Sequence, residues 1–384
     1  MRISRQPERY PALDHARFVL IALVVVGHLV EQLVASGPLA AALYRWIYLF
    51  HMPAFVLISG AVSKASLTRR RVLTLVTGLL LPYVVFQTLY SAWDAWLFQT
   101  GDWSQGYLTP YWLLWYLVSL ACWRLMLPLF ARLKFALPIA VAIALAAGMT
   151  SWVGYSLSLS RTLVFFPLFL LGHQIGARRL QHLSGARAPK LAAATVLVAA
   201  AVGAWFLRDL DPEWLYASVD YAALNSAPVA GAMTRLGLLI ASAFCALAVL
   251  MLVPRHARHA GFGRRSLTAY LLHGFLVRGL VAAGAFALLA QALPPWAALL
   301  LCVIAGFAIA ALLCTRWADR IAAPLTSPMR WMAAVGQSLA KSHSGWWAPT
   351  RLSGRSPPRG PSPADRKCGV PPIRGRMEQN KRLY

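Results

Sequence analysis

Charged residues are scarce in this chain, and their scarcity excludes an ordinary soluble domain. Asp, Glu, Lys and Arg make up 13% of the 384 residues, whereas soluble domains carry about 25%. Hydrophobic residues account for 59%, and the mean hydropathy is +0.58. This composition predicts an all-α integral membrane protein that crosses the bilayer many times.

Acidic residues are especially few. There are 12 Asp and Glu against 37 Lys and Arg, so the formal net charge is +25. Such a charge can serve nucleic-acid binding, but the basic residues lie in short loops between apolar runs and in a tail. We therefore interpret them as a topology signal that also attracts anionic lipid, and we expect membrane lipid and no nucleic acid as a partner.

Cysteines are also few and show no CxxC spacing. Four of the five lie in apolar segments, where a thiol behaves as a small core residue. This pattern indicates neither a disulfide framework nor a metal site, so we expect no metal. The five are Cys122, Cys245, Cys302, Cys314 and Cys368.

Long apolar runs recur along most of the chain. A helix needs about 20 residues to cross the hydrocarbon core of a bilayer. Runs near that length predict a bundle of about ten transmembrane helices. The predicted spans are 16–35, 44–63, 72–92, 111–131, 135–153, 161–177, 190–207, 233–253, 266–290 and 295–315.

The loops between these runs alternate in charge. Segments 64–71, 178–190 and 254–265 are strongly basic, whereas 93–110 and 208–232 are acidic and rich in Trp and Tyr. The positive-inside rule therefore places the N-terminus and the basic loops in the cytoplasm. The aromatic residues of the acidic loops fit an interfacial belt, and stacking against sugar rings is the functional alternative.

The chain divides into two regions by composition. Residues 1–335 contain all the apolar runs and form the predicted transmembrane domain. Residues 336–384 are rich in Pro, Gly, Ser and Arg and show no periodicity, which predicts a disordered basic tail.

Two ionisable residues lie inside the first predicted span. Arg17 and His28 are eleven residues apart, so a helix places them on one face, about 16 Å from each other. Ionisable groups are costly in a membrane and usually mark a functional path. The pair suits a long anionic ligand whose reactive end reaches mid-bilayer. Asp14, three residues before Arg17, can orient its guanidinium or be a simple interfacial charge.

His51 lies in the second span, which runs back across the bilayer. Counting along both spans places His28 and His51 at nearly the same depth, so the two imidazoles are predicted to share one cavity. A lone membrane histidine often only bonds a neighbouring helix, but two at one level favour function. Glu31, three residues after His28, either tunes the imidazole or lines the outer entry, or it is an interfacial charge.

Further polar residues supply weaker candidates. Arg69 and Arg71 crowd the cytoplasmic end of the third span, where they act as a topology signal or join Arg17 in binding a polyanion. Arg278 is expected to point into the bundle or a water-filled cleft.

Besides catalysis, two other functions could account for ionisable residues inside the membrane. A transporter or flippase for a glycan or lipid-linked sugar would also line a path with ionisable residues, but its halves commonly repeat. Residues 1–153 and 161–315 show no internal similarity, which counts against it. A purely structural membrane protein would not need so many buried ionisable groups.

These residues and their surroundings resemble the membrane acyltransferase-3 family, most closely its branch of fucose 4-O-acetylase and related acetyltransferases. The family's Arg-x10-His motif falls on Arg17 and His28, and its Arg-x-Arg motif falls on Arg69 and Arg71. The resembling stretches are LDHARFVLIALVVVGHL (13–29), LYRWIYLFHMPAFVLISG (43–60), RRR before LLLPY (69–83), WLLWYLVSL (112–120), FFPLFLLGHQIG (165–176) and SLTAYLLH (266–273).

The resemblance implies an O-acyltransferase of the inner membrane that moves an acetyl or other acyl group from cytoplasmic acyl-CoA, such as acetyl-CoA, to a carbohydrate hydroxyl. The implied acceptor is a cell-surface or exported glycan or its lipid-linked precursor. The resemblance leaves the oligomeric state open.

The resemblance also assigns roles to residues. Arg17, Arg69 and Arg71 would hold the phosphates of coenzyme A, and Asp14 would belong to the same site by orienting the guanidinium of Arg17. His28 would act as general base, with His51 as the second catalytic residue. From their positions we further predict Glu31, Ser59, Tyr83 and Arg278 as substrate-binding residues, and Ser59, Tyr83 and His51 as candidates for stabilising an oxyanion.

Overall fold

The computed structural model describes most of the chain, and in that part all regular secondary structure is helical. This confirms the predicted all-α membrane fold. The predicted tail, 336–384, lies outside the described residues. Those residues are 10–99, 106–183, 189–254, 260–329 and 331–332.

Among the described residues, seven helices are long and apolar enough to cross a bilayer. They are α1 (Pro11–Glu31), α2 (Pro38–Ala61), α3 (Arg69–Phe98), α4 (Trp112–Phe130), α6 (Ser156–Ile175), α10 (Pro228–Leu252) and α14 (Pro295–Leu313). Two further helices, α12 (Ser266–Ala282) and α13 (Ala285–Ala292), meet at a bend of 64° and form an eighth crossing if they are one broken span.

The remaining helices are short. Two of the ten predicted spans, 135–153 and 190–207, form shorter apolar helices that are not among these candidate crossings. The described residues therefore contain seven or eight candidate crossings where about ten were predicted. The short helices are α5 (Ala136–Met149), α7 (Ala177–Leu183), α8 (Pro189–Phe206), α9 (Glu213–Tyr216), α11 (Ala260–Gly263) and α15 (Arg316–Thr326).

Helices α1 and α2 lie at the centre of the bundle. Helix α1 packs against α14 and α2, and α2 packs in turn against α6 and α10. Gly60 of α2 and Gly172 of α6 allow a very close crossing. A Cβ atom on Gly60 would overlap the carbonyl of Phe169, and one on Gly172 would overlap the carbonyl of Leu57. Small residues at a crossing let two backbones approach, so this contact fixes α2 firmly in place.

Helix α3 contains a π-helical turn, Val76–Leu80, directly before Pro82. Proline has no backbone N–H and clashes with the preceding turn, which explains the break in regular α-helical bonding here. The irregularity of α3 thus lies beside Pro82. Gly78 and Leu79 of the widened turn line a cavity described below.

Candidate active site

His28 and His51 line a common cavity of about 780 Å³. The prediction that the two imidazoles share a cavity is therefore confirmed. We call it the histidine cavity. Its walls come from α1, α2, α4, α6, α9 and α12, and its lining residues are Val24, His28, Glu31, Tyr48, His51, Met52, Trp112, Leu113, Trp115, Tyr155, Arg161, Phe165, Glu213, Leu215, Tyr216 and Tyr270.

Glu31 holds the ring of His28. The Glu31 Oε2 atom lies 2.9 Å from Nδ1 of His28, and the Tyr48 hydroxyl lies 3.2 Å from the same nitrogen. A carboxylate only accepts hydrogen bonds, so it favours the tautomer with the proton on Nδ1. Nε2 of the neutral ring is then the nitrogen that can take up a proton. Glu31 therefore contacts the imidazole of His28, which was one of its predicted positions, and it also lines the histidine cavity.

Two more rings confine His28. Trp112 meets it edge-on with ring centroids 4.3 Å apart, and His273 stacks on it at 5.5 Å. His273 is fully buried and bonds the carbonyl of Ala269 through Nδ1 at 3.0 Å, while its Nε2 has no hydrogen-bond partner. These contacts fix the plane of the His28 imidazole.

His51 bonds its own helix. Its Nδ1 donates to the carbonyl of Ile47 at 2.8 Å, which leaves Nε2 as an acceptor in the neutral ring. Helix α1 runs from Pro11 to Glu31, so it begins five residues before and ends four residues before the predicted span, and His28 lies within one turn of its end. The α2 residue that bonds His28 is Tyr48, about one turn before His51, and sequence reasoning missed it.

A second cavity, of about 1140 Å³, adjoins the first and shares Met52 and Tyr270 with it. We call it the basic cavity because two guanidinium groups line it. Its lining residues are Arg17, Met52, Phe55, Ser59, Val62, Thr74, Gly78, Leu79, Tyr116, Leu117, Leu120, Arg124, Ser266, Leu267 and Tyr270.

Arg17 is oriented within the basic cavity by its own helix. Its Nη1 donates to Oδ1 of Asp14 at 2.9 Å, as the spacing of the two residues suggested. Ser59 lines the same cavity and exchanges a hydrogen bond of 2.7 Å with the Tyr116 hydroxyl. Ser59 therefore lies in the basic cavity with Arg17 and does not line the histidine cavity.

The basic cavity continues into a third one of about 690 Å³, lined in part by Lys64, Arg71 and Arg124. Arg71 donates from Nη1 to the carbonyl of Ser66 at 3.1 Å. Arg69, the first residue of α3, is exposed and is not among the residues that line these three cavities. Of the predicted Arg-x-Arg pair, Arg71 thus lines one of these three cavities and Arg69 does not.

Two predicted substrate-binding residues lie elsewhere. Tyr83 donates to the carbonyl of Tyr107 at 2.6 Å and so holds the segment before α4. Arg278 makes a two-pronged pair with Asp94, at 2.9 Å from Nε and 2.7 Å from Nη2. Neither lines the histidine cavity or the basic cavity. Each has a polar partner within the fold, which hydropathy alone does not show, and Arg278 points into the bundle as one of its two predicted positions.

Arg161 is a cavity residue that sequence reasoning missed. It is only 7% exposed, donates from Nε to the carbonyl of Tyr216 at 3.2 Å, and its Nη1 has no hydrogen-bond partner. Its position at the start of an apolar span was the available signal. An arginine at such a position marks either an interface or a buried site, and sequence does not distinguish them.

The short helix α9 closes the histidine cavity and brings Glu213 and Tyr216 to it. The hydroxyls of Tyr216 and Tyr44 are hydrogen-bonded to each other. Burial, together with the nearby charge of Glu31, raises the pKa of the Tyr216 phenol above its ordinary value, so it remains a neutral hydrogen-bonding group. The aromatic residues of loop 208–232 were predicted to form an interfacial belt or to stack against sugar rings. Of these residues, Tyr216 lines the histidine cavity.

The described residues hold no group of three His, Cys, Asp or Glu side chains that could bind a metal ion. The cavity supplies an imidazole whose Nε2 can accept a proton, neighbouring hydroxyls and a guanidinium. Such groups suit proton transfer at an alcohol.

Comparison with known proteins identifies the family. The acyltransferase domain matches residues 10–315, which is most of the chain. Over 62 residues the chain is 40% identical to nodulation protein NolL of Mesorhizobium japonicum, a stretch that covers 15% of this chain and 17% of the length of that relative. No solved structure matches the chain. Because the family match spans most of the bundle and both cavities, the protein is a multi-pass membrane protein that belongs to the acyltransferase-3 family.

Proposed function

We propose that the protein transfers an acetyl or related acyl group from coenzyme A to a carbohydrate hydroxyl. The observation that carries the proposal is the junction of the basic cavity with the histidine cavity at Met52 and Tyr270. One path thus joins cationic groups, which suit an anionic donor, to a general base, which suits a hydroxyl acceptor.

The donor enters from the side of the basic loops, which positive-inside topology makes the cytoplasm. Arg71, Lys64 and Arg124 line the mouth of the path, and Arg17 stands further in. Guanidinium groups bind phosphate through paired, charge-assisted hydrogen bonds, so these residues hold the phosphates of acetyl-CoA. Exposed Arg69 adds positive charge at the mouth. The pantetheine arm then follows the roughly 16 Å along α1 from Arg17 to His28.

His28 acts as the general base. Its Nε2 takes the proton of the acceptor hydroxyl, and the hydroxyl oxygen attacks the thioester carbonyl. The new ester bond forms as the C–S bond breaks, and the thiolate of coenzyme A leaves with the proton returned from His28. Neutral His51 presents an acceptor nitrogen that can bond a hydroxyl of the sugar. Tyr48, whose own proton is free when Nδ1 of His28 donates, is a hydroxyl in the same cavity that can donate to the developing oxyanion.

The acceptor is a cell-surface or exported glycan, or its lipid-linked precursor, and it reaches the histidine cavity beside α9. That placement suits an enzyme of the inner membrane that takes its donor from one side and its acceptor from the other. Aromatic residues Trp112, Trp115 and Tyr216 line this part of the cavity, where a sugar ring can pack.

The test measures binding and turnover of radiolabelled acetyl-CoA by purified protein. Wild type should bind and slowly hydrolyse or transfer the label, and His28→Ala should bind it equally without turnover. Arg208→Ala, an exposed change in an acidic loop, is the control that should match wild type. If wild type does not bind acetyl-CoA, the donor assignment is wrong, and transport of a glycan or lipid-linked sugar becomes the better explanation of the path.

A further inference from the structure

We infer that Arg161 and Glu213 form a subsite for an uncharged, hydroxyl-rich pyranose ring, and that this subsite selects neutral sugars over uronic acids. The inference rests on the proposed function, since it names the class of acceptor for the same cavity. Both residues line the histidine cavity, and they come from different elements, α6 and α9.

The guanidinium of Arg161 is held in place but not saturated. Its central carbon lies 4.6 Å from the ring centroid of Tyr155 and 5.3 Å from that of Trp115. Nε is bonded to the carbonyl of Tyr216, whereas buried Nη1 has no partner. A buried donor without an acceptor is unfavourable, so a ligand oxygen that reaches Nη1 from the cavity would satisfy it.

Glu213 supplies the complementary acceptor. Its backbone N–H donates to Oδ1 of Asp211 at 2.9 Å, and its Oε2 accepts a hydrogen bond from the Ser218 hydroxyl. A carboxylate can accept about four hydrogen bonds, so capacity remains for ligand hydroxyls. Arg161 can thus bond sugar oxygens as a donor while Glu213 bonds sugar hydroxyls as an acceptor.

The balance of charge favours a neutral ligand. The cavity is lined by two carboxylates, Glu31 and Glu213, against one guanidinium, Arg161, so its acidic side chains outnumber its basic one. A uronic acid would add a further carboxylate to a partly buried site, where charges interact strongly. A neutral pyranose avoids that repulsion and still uses every polar group.

Saturation-transfer NMR on the purified full chain tests the subsite directly, because it detects weak sugar binding without turnover. The probes are the methyl glycosides of glucose and galactose, each beside the methyl glycoside of its uronic acid, which differs only at C6. We expect wild-type signals at least fivefold stronger for the neutral sugars than for the uronides. In Arg161→Met the neutral signal should fall at least fivefold, and in the exposed control Arg208→Met it should not change.

Glu213→Gln provides a second variant that removes charge and keeps shape. It should strengthen the uronide signal at least fivefold relative to the neutral sugar. This variant decides the matter if Arg161→Met no longer melts cooperatively in detergent and has therefore lost its fold. Equal neutral signals in wild type and a folded Arg161→Met, no signal from any sugar, or an unchanged preference in Glu213→Gln would each overturn the inference.

The outcome is separable from that of the proposed function. If wild type binds neutral sugars through Arg161 but does not bind acetyl-CoA, the subsite stands and the donor assignment fails. If acetyl-CoA binds and turns over while sugar binding is independent of Arg161, the acyltransferase mechanism stands and the subsite fails.

Discussion

The basic cavity and the histidine cavity adjoin each other but carry opposite charge. The basic cavity is lined by Arg17 and Arg124 without a carboxylate among its lining residues, whereas the histidine cavity is lined by Glu31, Glu213 and a single guanidinium. A polyanion is therefore stabilised in the first and disfavoured in the second. The difference shows how one path can keep two chemically different ligands in order, so that they meet only at the junction.

Blocking the junction between the two cavities should have the largest effect on acyl transfer. Met52→Trp puts a bulky ring where the two cavities meet, and we expect transfer to fall about a hundredfold or more, because small misplacements of reacting groups cost that much. Acetyl-CoA binding, measured by equilibrium dialysis, should fall far less. Met52→Leu, which nearly conserves volume, is the control and should keep most of the activity. Normal transfer by Met52→Trp would show that the shared residues are not the route.

Removing the guanidinium of Arg17 from the basic cavity should selectively weaken binding of the acyl donor. In Arg17→Ala we expect the Kd for acetyl-CoA to rise about 10- to 100-fold, since a charge-assisted hydrogen bond contributes about 1.5–3 kcal/mol. Arg17→Lys should recover part of the loss, because it keeps the charge but not the fork of donors. Sugar signals in saturation-transfer NMR should be unchanged, and a parallel loss of both ligands would contradict separate cavities.

Loosening His28 should have a smaller effect, confined to the histidine cavity. Glu31→Gln removes the carboxylate that accepts from Nδ1, and an amide can donate as well as accept, so it no longer selects one tautomer. We expect kcat to fall about tenfold, by analogy with partners that orient metal-binding histidines, with little change in the KM for acetyl-CoA. A loss confined to KM would instead make Glu31 a donor-binding residue.

The smallest effect on the binding of either ligand is expected when the ion pair of Arg278 and Asp94, which lines neither cavity, is broken. Arg278→Gln leaves Asp94 and the Tyr111 hydroxyl, 2.5 Å apart, without their guanidinium partner. We expect about 1–2 kcal/mol lower stability, between the values for exposed and buried pairs, seen as a lower Tm in detergent. Affinity for acetyl-CoA should remain within about twofold, and a larger change would return Arg278 to the substrate site.

Sequence reasoning reached those features that depend on one helix at a time. The alignment of Arg17 with His28 and the pairing of Asp14 with Arg17 follow from the period of α1 alone. Even His28 and His51 were placed in one cavity, because α1 and α2 are joined by a short connection and must be neighbours. The count of crossings was less secure, since hydropathy alone does not show how long the helices α5 and α8 are.

Features that depend on several helices were not accessible in this way. Tyr83 and Arg278 looked like cavity residues because they are polar groups in apolar runs, yet each is used by a partner far along the chain, Tyr107 and Asp94 respectively. Tyr48, Arg161 and Glu213 carried no strong signal, because their importance comes from where α2, α6 and α9 converge.

The sequence by itself determined that the chain is an all-helical membrane protein with an arginine and a histidine aligned on its first span, since composition and helical periodicity are local properties. Only the tertiary structure decided which polar groups share the two cavities and which satisfy each other elsewhere. The physical reason is that a buried polar group must find a partner, and the partner is chosen by the packing of distant segments.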